Sequence, residues 1–255
     1  MGAGPHVGGR IATTGYDARV DRLGTRLADT LIALATALAI LALVVPLFLN
    51  PIWVGFEQGR SEAAAWTGFS DADLRMATDA ILVDLVVGPP DFDIDVAGAP
   101  VLNERERSHM RDVRGVFFGF FVVSMVLVIA AIAVVIRRGH DGRAASWIAV
   151  RNGAGGLIVG LLLVGGIALI AFDQLFEIFH QVFFAGGSYT FDPATERLVQ
   201  LFPFQFWQET SIALGIVAII VAIGVAVVAQ GRADRLLRHL APAAAPAPSA
   251  GEAAR

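Results

Sequence analysis

Residues 211–229 read SIALGIVAIIVAIGVAVVA, nineteen positions without a charged side chain. An α-helix rises about 1.5 Å per residue, so a run of this length is about what the hydrocarbon core of a bilayer requires. Three further uncharged apolar runs precede it, at residues 31–49, 115–136 and 153–172. The sequence therefore predicts an all-α, polytopic membrane protein with four transmembrane helices.

The composition agrees with this fold class and excludes several functions. The chain is 56% hydrophobic and 16% charged, whereas about a quarter of the residues in a soluble domain are charged. Its formal net charge of -4 provides no general attraction for nucleic acid, and we expect none as a partner. It contains no cysteine, which excludes disulfides, thiolate nucleophiles and cysteine-ligated metal sites.

The arginines predict the orientation, because basic residues are enriched in cytoplasmic loops. Most of them precede the first run, crowd the link between the second and third, or follow the fourth, among them Arg10, Arg19, Arg22, Arg26, Arg137, Arg138, Arg143, Arg151, Arg232, Arg235 and Arg238. Loop 50–114 also holds arginines, but acids outnumber them there, and loop 173–210 holds Arg197 alone. We expect a cytoplasmic segment at residues 1–28, a transmembrane domain at 29–230 and a cytoplasmic low-complexity tail at 231–255. Loops 50–114 and 173–210 would then form an extracytoplasmic cap.

The first of these loops contains one predicted helix. Ser70 and Asp73 resemble a capping box. Apolar residues then recur at helical spacing, at Leu74, Ala77, Ile81 and Leu85. Asp84 lies off this stripe, and the predicted helix ends before Gly88. We expect it to lie on the membrane surface or to cap the bundle.

Two of the five histidines, His109 and His180, lie in the outer loops near a membrane end. Each has carboxylates at helical spacing: Glu106 and Asp112 around His109, and Asp173 and Glu177 before His180. Polar residues at helix ends are common, so each stripe alone is also typical of an amphipathic surface. Two stripes leaving the membrane on different helices favour a functional site at the mouth of the bundle.

The segment LFPFQFW at residues 201–207 precedes the fourth run. Aromatic residues in this position are typical of a belt at the membrane interface. The alternative is an apolar slot that accepts acyl chains.

Four stretches carry a resemblance to a known family: NERERSHMRDV at 103–113, FHQVFF at 179–184, YTFDP at 189–193 and LFPFQFW at 201–207. Together with the four-span layout, they resemble the lipoprotein intramolecular transacylase family over about residues 25–230. The resemblance implies an acyltransferase of the bacterial cell membrane, with its active site at the outer leaflet. Its substrates would be diacylated lipoproteins among the membrane lipids.

The implied reaction moves an acyl chain from the glyceryl group on the N-terminal cysteine of a lipoprotein to the α-amine of that cysteine. His109 and His180 would be the catalytic pair, with Glu106, Asp112, Asp173 and Glu177 in support. The expected contacts of the acyl chain are Phe183, Phe184, Phe202, Phe206 and Trp207. We expect a monomer that uses neither a cofactor nor a metal ion.

Two other functions remain open from the residues alone. One is a metal-dependent membrane hydrolase with His109, His180, Glu106 and Asp112 as ligands. The other is a structural or assembly protein without catalysis, whose outer loops bind a partner. Chelation would reveal the first, and full function without both histidines would reveal the second.

Overall fold

The structure is a computed structural model that describes residues 11–184 and 186–240. Its four long helices are α1 (Ile11–Val44), α5 (Glu104–Arg138), α6 (Arg143–Phe183) and α8 (Phe204–Leu240). Each contains a segment long and apolar enough to cross a membrane. The predicted all-α fold with four transmembrane helices is therefore confirmed. All four helices begin before their uncharged runs, and α5, α6 and α8 also end beyond theirs.

Short elements at one end of the bundle connect the long helices. They are α2 (Pro51–Arg60), α3 (Ala63–Thr67), α4 (Asp71–Val86), the antiparallel strands β1 (Asp95–Val96) and β2 (Ala99–Pro100), and α7 (Arg197–Leu201). We call residues 48–103 and 186–203 the cap. The sequence predicted one helix before α5, whereas this part of the cap holds three. The start of α2 has a clear local cause, because the Asn50 side chain accepts the backbone N–H groups of Ile52 and Trp53.

Helix α4 has the predicted N-terminus and the predicted buried stripe. The Ser70 hydroxyl oxygen accepts the backbone N–H of Asp73 at 3.2 Å. The stripe is buried throughout, at Leu74, Ala77, Ile81 and Leu85. Asp84 was expected off this stripe, but it is buried as well. The chain folds back after α4, so that the backbone N–H of Phe92 bonds to the Asp84 carboxylate, and burial raises the pKa of Asp84.

The core of the cap combines apolar packing with a satisfied polar link. Phe92 and Leu201 are fully buried within it. Gln58 on α2 donates to the carbonyl of Leu201 at 3.0 Å and accepts the Thr78 hydroxyl at 3.0 Å. All three residues are buried. The Gln58 side chain therefore links α2, α4 and α7, and both its amide nitrogen and its amide oxygen have a hydrogen-bond partner.

Helix α6 lies against α1 and α8 and carries a break near the cap. A Cβ atom on Gly153 would come within 2.3 Å of the Ala33 carbonyl oxygen, so α1 and α6 approach each other through this glycine. Ala171 has φ -146° and ψ 43°, which is not helical. The last twelve residues of α6 are therefore set at their own angle, and they carry His180 into the cap.

Candidate active site

The structure brings His109 and His180 together at the cap end of the bundle. Their ring centroids lie 6.0 Å apart, and the rings are 20° from parallel. His109 is in the second turn of α5, whose start is fixed by the capping box of Asn103, and His180 is in the last turn of α6. Both are buried, with 6% and 8% of their surface exposed. The pair predicted from two separate stripes is thus a single cluster.

His180 has one ring nitrogen engaged with its own helix. Its Nδ1 atom lies 2.7 Å from the carbonyl oxygen of Phe176. A carbonyl oxygen only accepts hydrogen bonds, so Nδ1 carries the hydrogen and donates it. In the neutral ring the lone pair that can accept a proton is therefore on Nε2. The Phe176 ring, at 4.2 Å between centroids, packs against the imidazole.

His109 lies in an aromatic wall. Its ring is 4.7 Å from that of Phe184 and 5.4 Å from that of Phe191. Its Nδ1 atom is buried and has no hydrogen-bond partner among the residues that the structure describes. Unpartnered buried nitrogen atoms are uncommon in folded proteins and call for an explanation, of which a catalytic role is one.

Glu106, expected to support His109, has a different set of partners. Its Oε2 atom accepts the backbone N–H of Asn103 at 2.7 Å, and its Oε1 atom accepts that of Leu198 at 2.6 Å. The side chain is 1% exposed. It therefore completes the cap of α5 and ties α7 to it.

Of the other three predicted carboxylates, two also bond elsewhere. Asp112 is exposed on α5, and Asp173 accepts the side-chain amide of its neighbour Gln174. Glu177 Oε1 accepts Gln181 and the Tyr189 hydroxyl, each at 2.9 Å. In the described part of the chain, the two imidazoles are thus held by a backbone carbonyl and aromatic rings, and neither donates a hydrogen bond to these acids.

The sequence did not single out Glu196, which organises the loop beside the pair. Arg105 lies 2.6 Å from both Glu196 carboxylate oxygens, and the backbone N–H of Asp192 donates to Glu196 at 2.6 Å. Burial raises the pKa of Glu196, but the hydrogen bonds from Arg105, Asp192 and Asn103 outweigh it and lower that pKa overall. The Arg105 guanidinium also lies 5.0 Å from the centre of the Phe191 ring.

The five predicted acyl contacts fall into two groups. Phe202 and Phe206 are buried in the core of the cap. Phe183 and Trp207 are 51% and 36% exposed, and Phe184 forms part of the wall against His109. Only the second group presents a surface to a ligand or abuts the histidines.

Comparison with known proteins gives a consistent picture. The model of the family described as lipoprotein intramolecular transacylase Lit matches residues 30–207. An uncharacterized protein of Aquifex aeolicus (strain VF5) is 28% identical over 127 residues, which cover 49% of this chain and 55% of that protein. The match thus spans about half the length of this relative.

Two solved structures share the fold. The membrane integral lipoprotein intramolecular transacylase Lit from Bacillus cereus is 15% identical, with a TM-score of 0.63 over 84% of this chain and 96% of that one. A variant of the same protein with one histidine replaced by arginine is 17% identical, with a TM-score of 0.65 over 89% and 97%. At this identity the likeness shows the fold, and the family match adds the class of enzyme. The chain belongs to the lipoprotein intramolecular transacylase family and is a multi-pass membrane protein.

Proposed function

We propose that this protein moves an acyl chain within the diacylglyceryl-cysteine of bacterial lipoproteins. The chain passes from the glyceryl ester to the α-amine of the cysteine and leaves a lyso-form lipoprotein. One observation carries the proposal beyond family membership: two buried histidines, His109 and His180, face each other at one end of the bundle.

The tautomer of His180 supports its role as the base. An α-amine has a pKa of about 8 and is mostly protonated at neutral pH, so it must lose a proton before it attacks. His180 Nδ1 already donates to Phe176, which leaves Nε2 to take that proton. The amine nitrogen then bonds to the ester carbonyl carbon, and the carbon–oxygen bond to the glyceryl group breaks.

His109 is suited to the other half of the proton transfer. The departing glyceryl alkoxide needs a proton, and an imidazole can supply it or donate a hydrogen bond to the oxyanion. The Nδ1 atom of His109 has no partner within the described residues, and its ring faces His180. The attacking nitrogen gives up a second proton as the amide forms. One of the two protons it loses replaces the proton given to the alkoxide and the other leaves to solvent, so the protein ends the cycle unchanged.

No nucleophile of the enzyme is required, because the amine and the ester belong to the same substrate molecule. Holding them close supplies most of the entropic advantage of catalysis. The wall at Phe184 and the exposed rings of Phe183 and Trp207 are suited to hold the acyl chain. Phe202 and Phe206 would act indirectly, by supporting this surface from the core.

The site belongs at the outer leaflet in this proposal. The arginines favour cytoplasmic termini, which places the cap outside. His109 precedes the uncharged run at residues 115–136 by six positions, or about 9 Å of helix. The ester group of a lipid anchored in the membrane would lie at about the same distance from the hydrocarbon core. We propose a cytoplasmic segment at 1–28, the domain at 29–230, a cytoplasmic tail at 231–255, and a monomer.

Mass spectrometry of lipoprotein N-termini tests the proposed function. Cells with the protein should contain lipoproteins with one acyl chain on the cysteine amine and one on the glyceryl group. Cells without it should lack that form. If the same lipoprotein forms occur in both, the proposed function is wrong.

A further inference from the structure

Tyr189 lies in the loop between α6 and α7, directly beside one member of the histidine pair. Its ring centroid is 5.1 Å from that of His180, and the rings are tilted by 39°. The Tyr189 hydroxyl is turned toward α6, where it donates to Glu177 Oε1 at 2.9 Å. This bond to a carboxylate raises the pKa of Tyr189, so the residue stays a donor.

Glu177 precedes His180 by three residues on the same helix, a spacing at which an acid and an imidazole can meet. Instead, its Oε1 atom accepts both the Tyr189 hydroxyl and the side chain of Gln181. The carboxylate is therefore engaged with the loop and the next turn of the helix. Without Tyr189, it would lose one of two donors and could turn toward the imidazole.

We infer that Tyr189 is a positioning residue for His180. Its ring supports one side of the imidazole, and its hydroxyl keeps the Glu177 carboxylate from pairing with that imidazole. This inference rests on the proposed function, in which His180 must be neutral to take a proton from the substrate amine. A carboxylate paired with His180 would favour the charged ring and would leave less of the base at neutral pH.

Among the described residues, the rings that pack against His180 are those of His109 from α5, Tyr189 from the loop, and Phe176, Phe179 and Phe184. Glu177 lies three residues earlier on the same helix and bonds to Tyr189. Asp112 on α5 acts electrostatically on His109 but is exposed. Glu177 is thus the acid on the same helix that a change at Tyr189 would release.

The test uses the full-length purified protein and a synthetic lipopeptide with an N-terminal diacylglyceryl-cysteine. Three variants are compared with the wild type: Tyr189→Phe, Glu177→Gln and the double variant. Thr190→Val is the matched control, because it removes a hydroxyl from an exposed neighbour in the same loop. Each variant is measured for kcat, KM and the pH dependence of kcat.

We expect Tyr189→Phe to lower kcat at pH 7 about tenfold, because a Glu177 carboxylate paired with His180 would leave less of the neutral base, while KM stays within about twofold. The acid limb of its pH profile should move to higher pH. Glu177→Gln in the same chain should return that limb to its wild-type position, because no carboxylate remains to pair with His180. Thr190→Val should behave as the wild type.

Two outcomes would overturn the inference. One is a Tyr189→Phe variant with wild-type kcat and pH profile. The other is a loss of kcat with no movement of the acid limb, which would indicate a structural effect alone. An inactive wild type would instead contradict the proposed function, so the two failures are distinguishable.

Discussion

The carboxylate of Glu106 accepts the backbone N–H of Leu198 at 2.6 Å, across 91 intervening positions of the chain. The same side chain accepts the N–H of Asn103, so one buried acid fastens the start of α5, which carries His109, to α7 of the cap. Glu106 lies three residues before His109, and this spacing predicted a role in catalysis. Its contacts instead indicate that it holds the start of α5 and α7 together.

Glu106→Ala should destabilise the protein, because two backbone N–H groups lose their acceptor in a buried place. We expect a loss of about 3 kcal/mol, from the cost of unpaired buried donors and of the lost helix cap. Thermal unfolding of the purified protein measures it. Glu104→Ala is the control, since that side chain is 73% exposed and its removal should lower Tm only slightly. Equal Tm values for the two variants would contradict the assignment.

The spans and the start of α4 followed from local pattern, because a bilayer demands uncharged length and a helix start demands a cap. The histidine pair followed from topology, which left His109 and His180 near the same membrane surface. Glu196 and Gln58 could not be found in this way, since their partners come from distant parts of the chain. The spacing of Glu106 from His109 also predicted the wrong partner. The Glu106 carboxylate accepts backbone N–H groups, whereas the sequence alone assigned it to the imidazole.

The free energy of unfolding should fall as the pH rises from 5 to 8, because Glu57 loses its proton in this range. Burial raises the pKa of Glu57 from 4.5 to about 7, and the neighbouring Glu209 carboxylate adds to this. At a pH between these two pKa values, Glu57 is protonated in the folded protein and ionised in the unfolded chain. Each rise in pH in this range therefore favours unfolding. The loss is nearly complete by about pH 8 and, between pH 5 and pH 8, is at most about 3 kcal/mol, at about 1.4 kcal/mol per pKa unit.

Glu57→Gln tests this relation, because glutamine does not titrate and can still donate to Glu209. The Tm of the wild type should fall relative to the Tm of the variant between pH 5 and pH 8, when both are measured in the same detergent. Parallel curves for the two proteins would show that Glu57 does not titrate in this window.

Cysteine labelling tests the orientation in a chain that has no cysteine of its own. Ala65 and Ala194 are exposed in the cap, and Asp141 is exposed in the link between α5 and α6. Cysteines at the first two positions should react with an impermeant reagent in intact cells. One at Asp141 should react only after the membrane is opened. Labelling at Asp141 in intact cells would reverse the proposed topology.

Activity should survive thorough chelation. Among residues 11–184 and 186–240, no three His, Asp or Glu side chains gather closely enough to hold a metal ion. Turnover of the purified protein with a chelator should therefore match turnover without it. Loss of activity that zinc restores would favour the metal-dependent hydrolase instead.

The most direct test of the central claim replaces each buried histidine with asparagine and measures turnover of a diacylglyceryl-cysteine lipopeptide by mass spectrometry. Asparagine keeps hydrogen bonding but does not take a proton at neutral pH, so His109→Asn and His180→Asn should each lower kcat by about 10²–10⁴-fold. His140→Asn, in the exposed link far along the chain from both, is the matched control and should leave kcat unchanged. Wild-type turnover in both His109→Asn and His180→Asn would show that this pair does not carry the acyl shift.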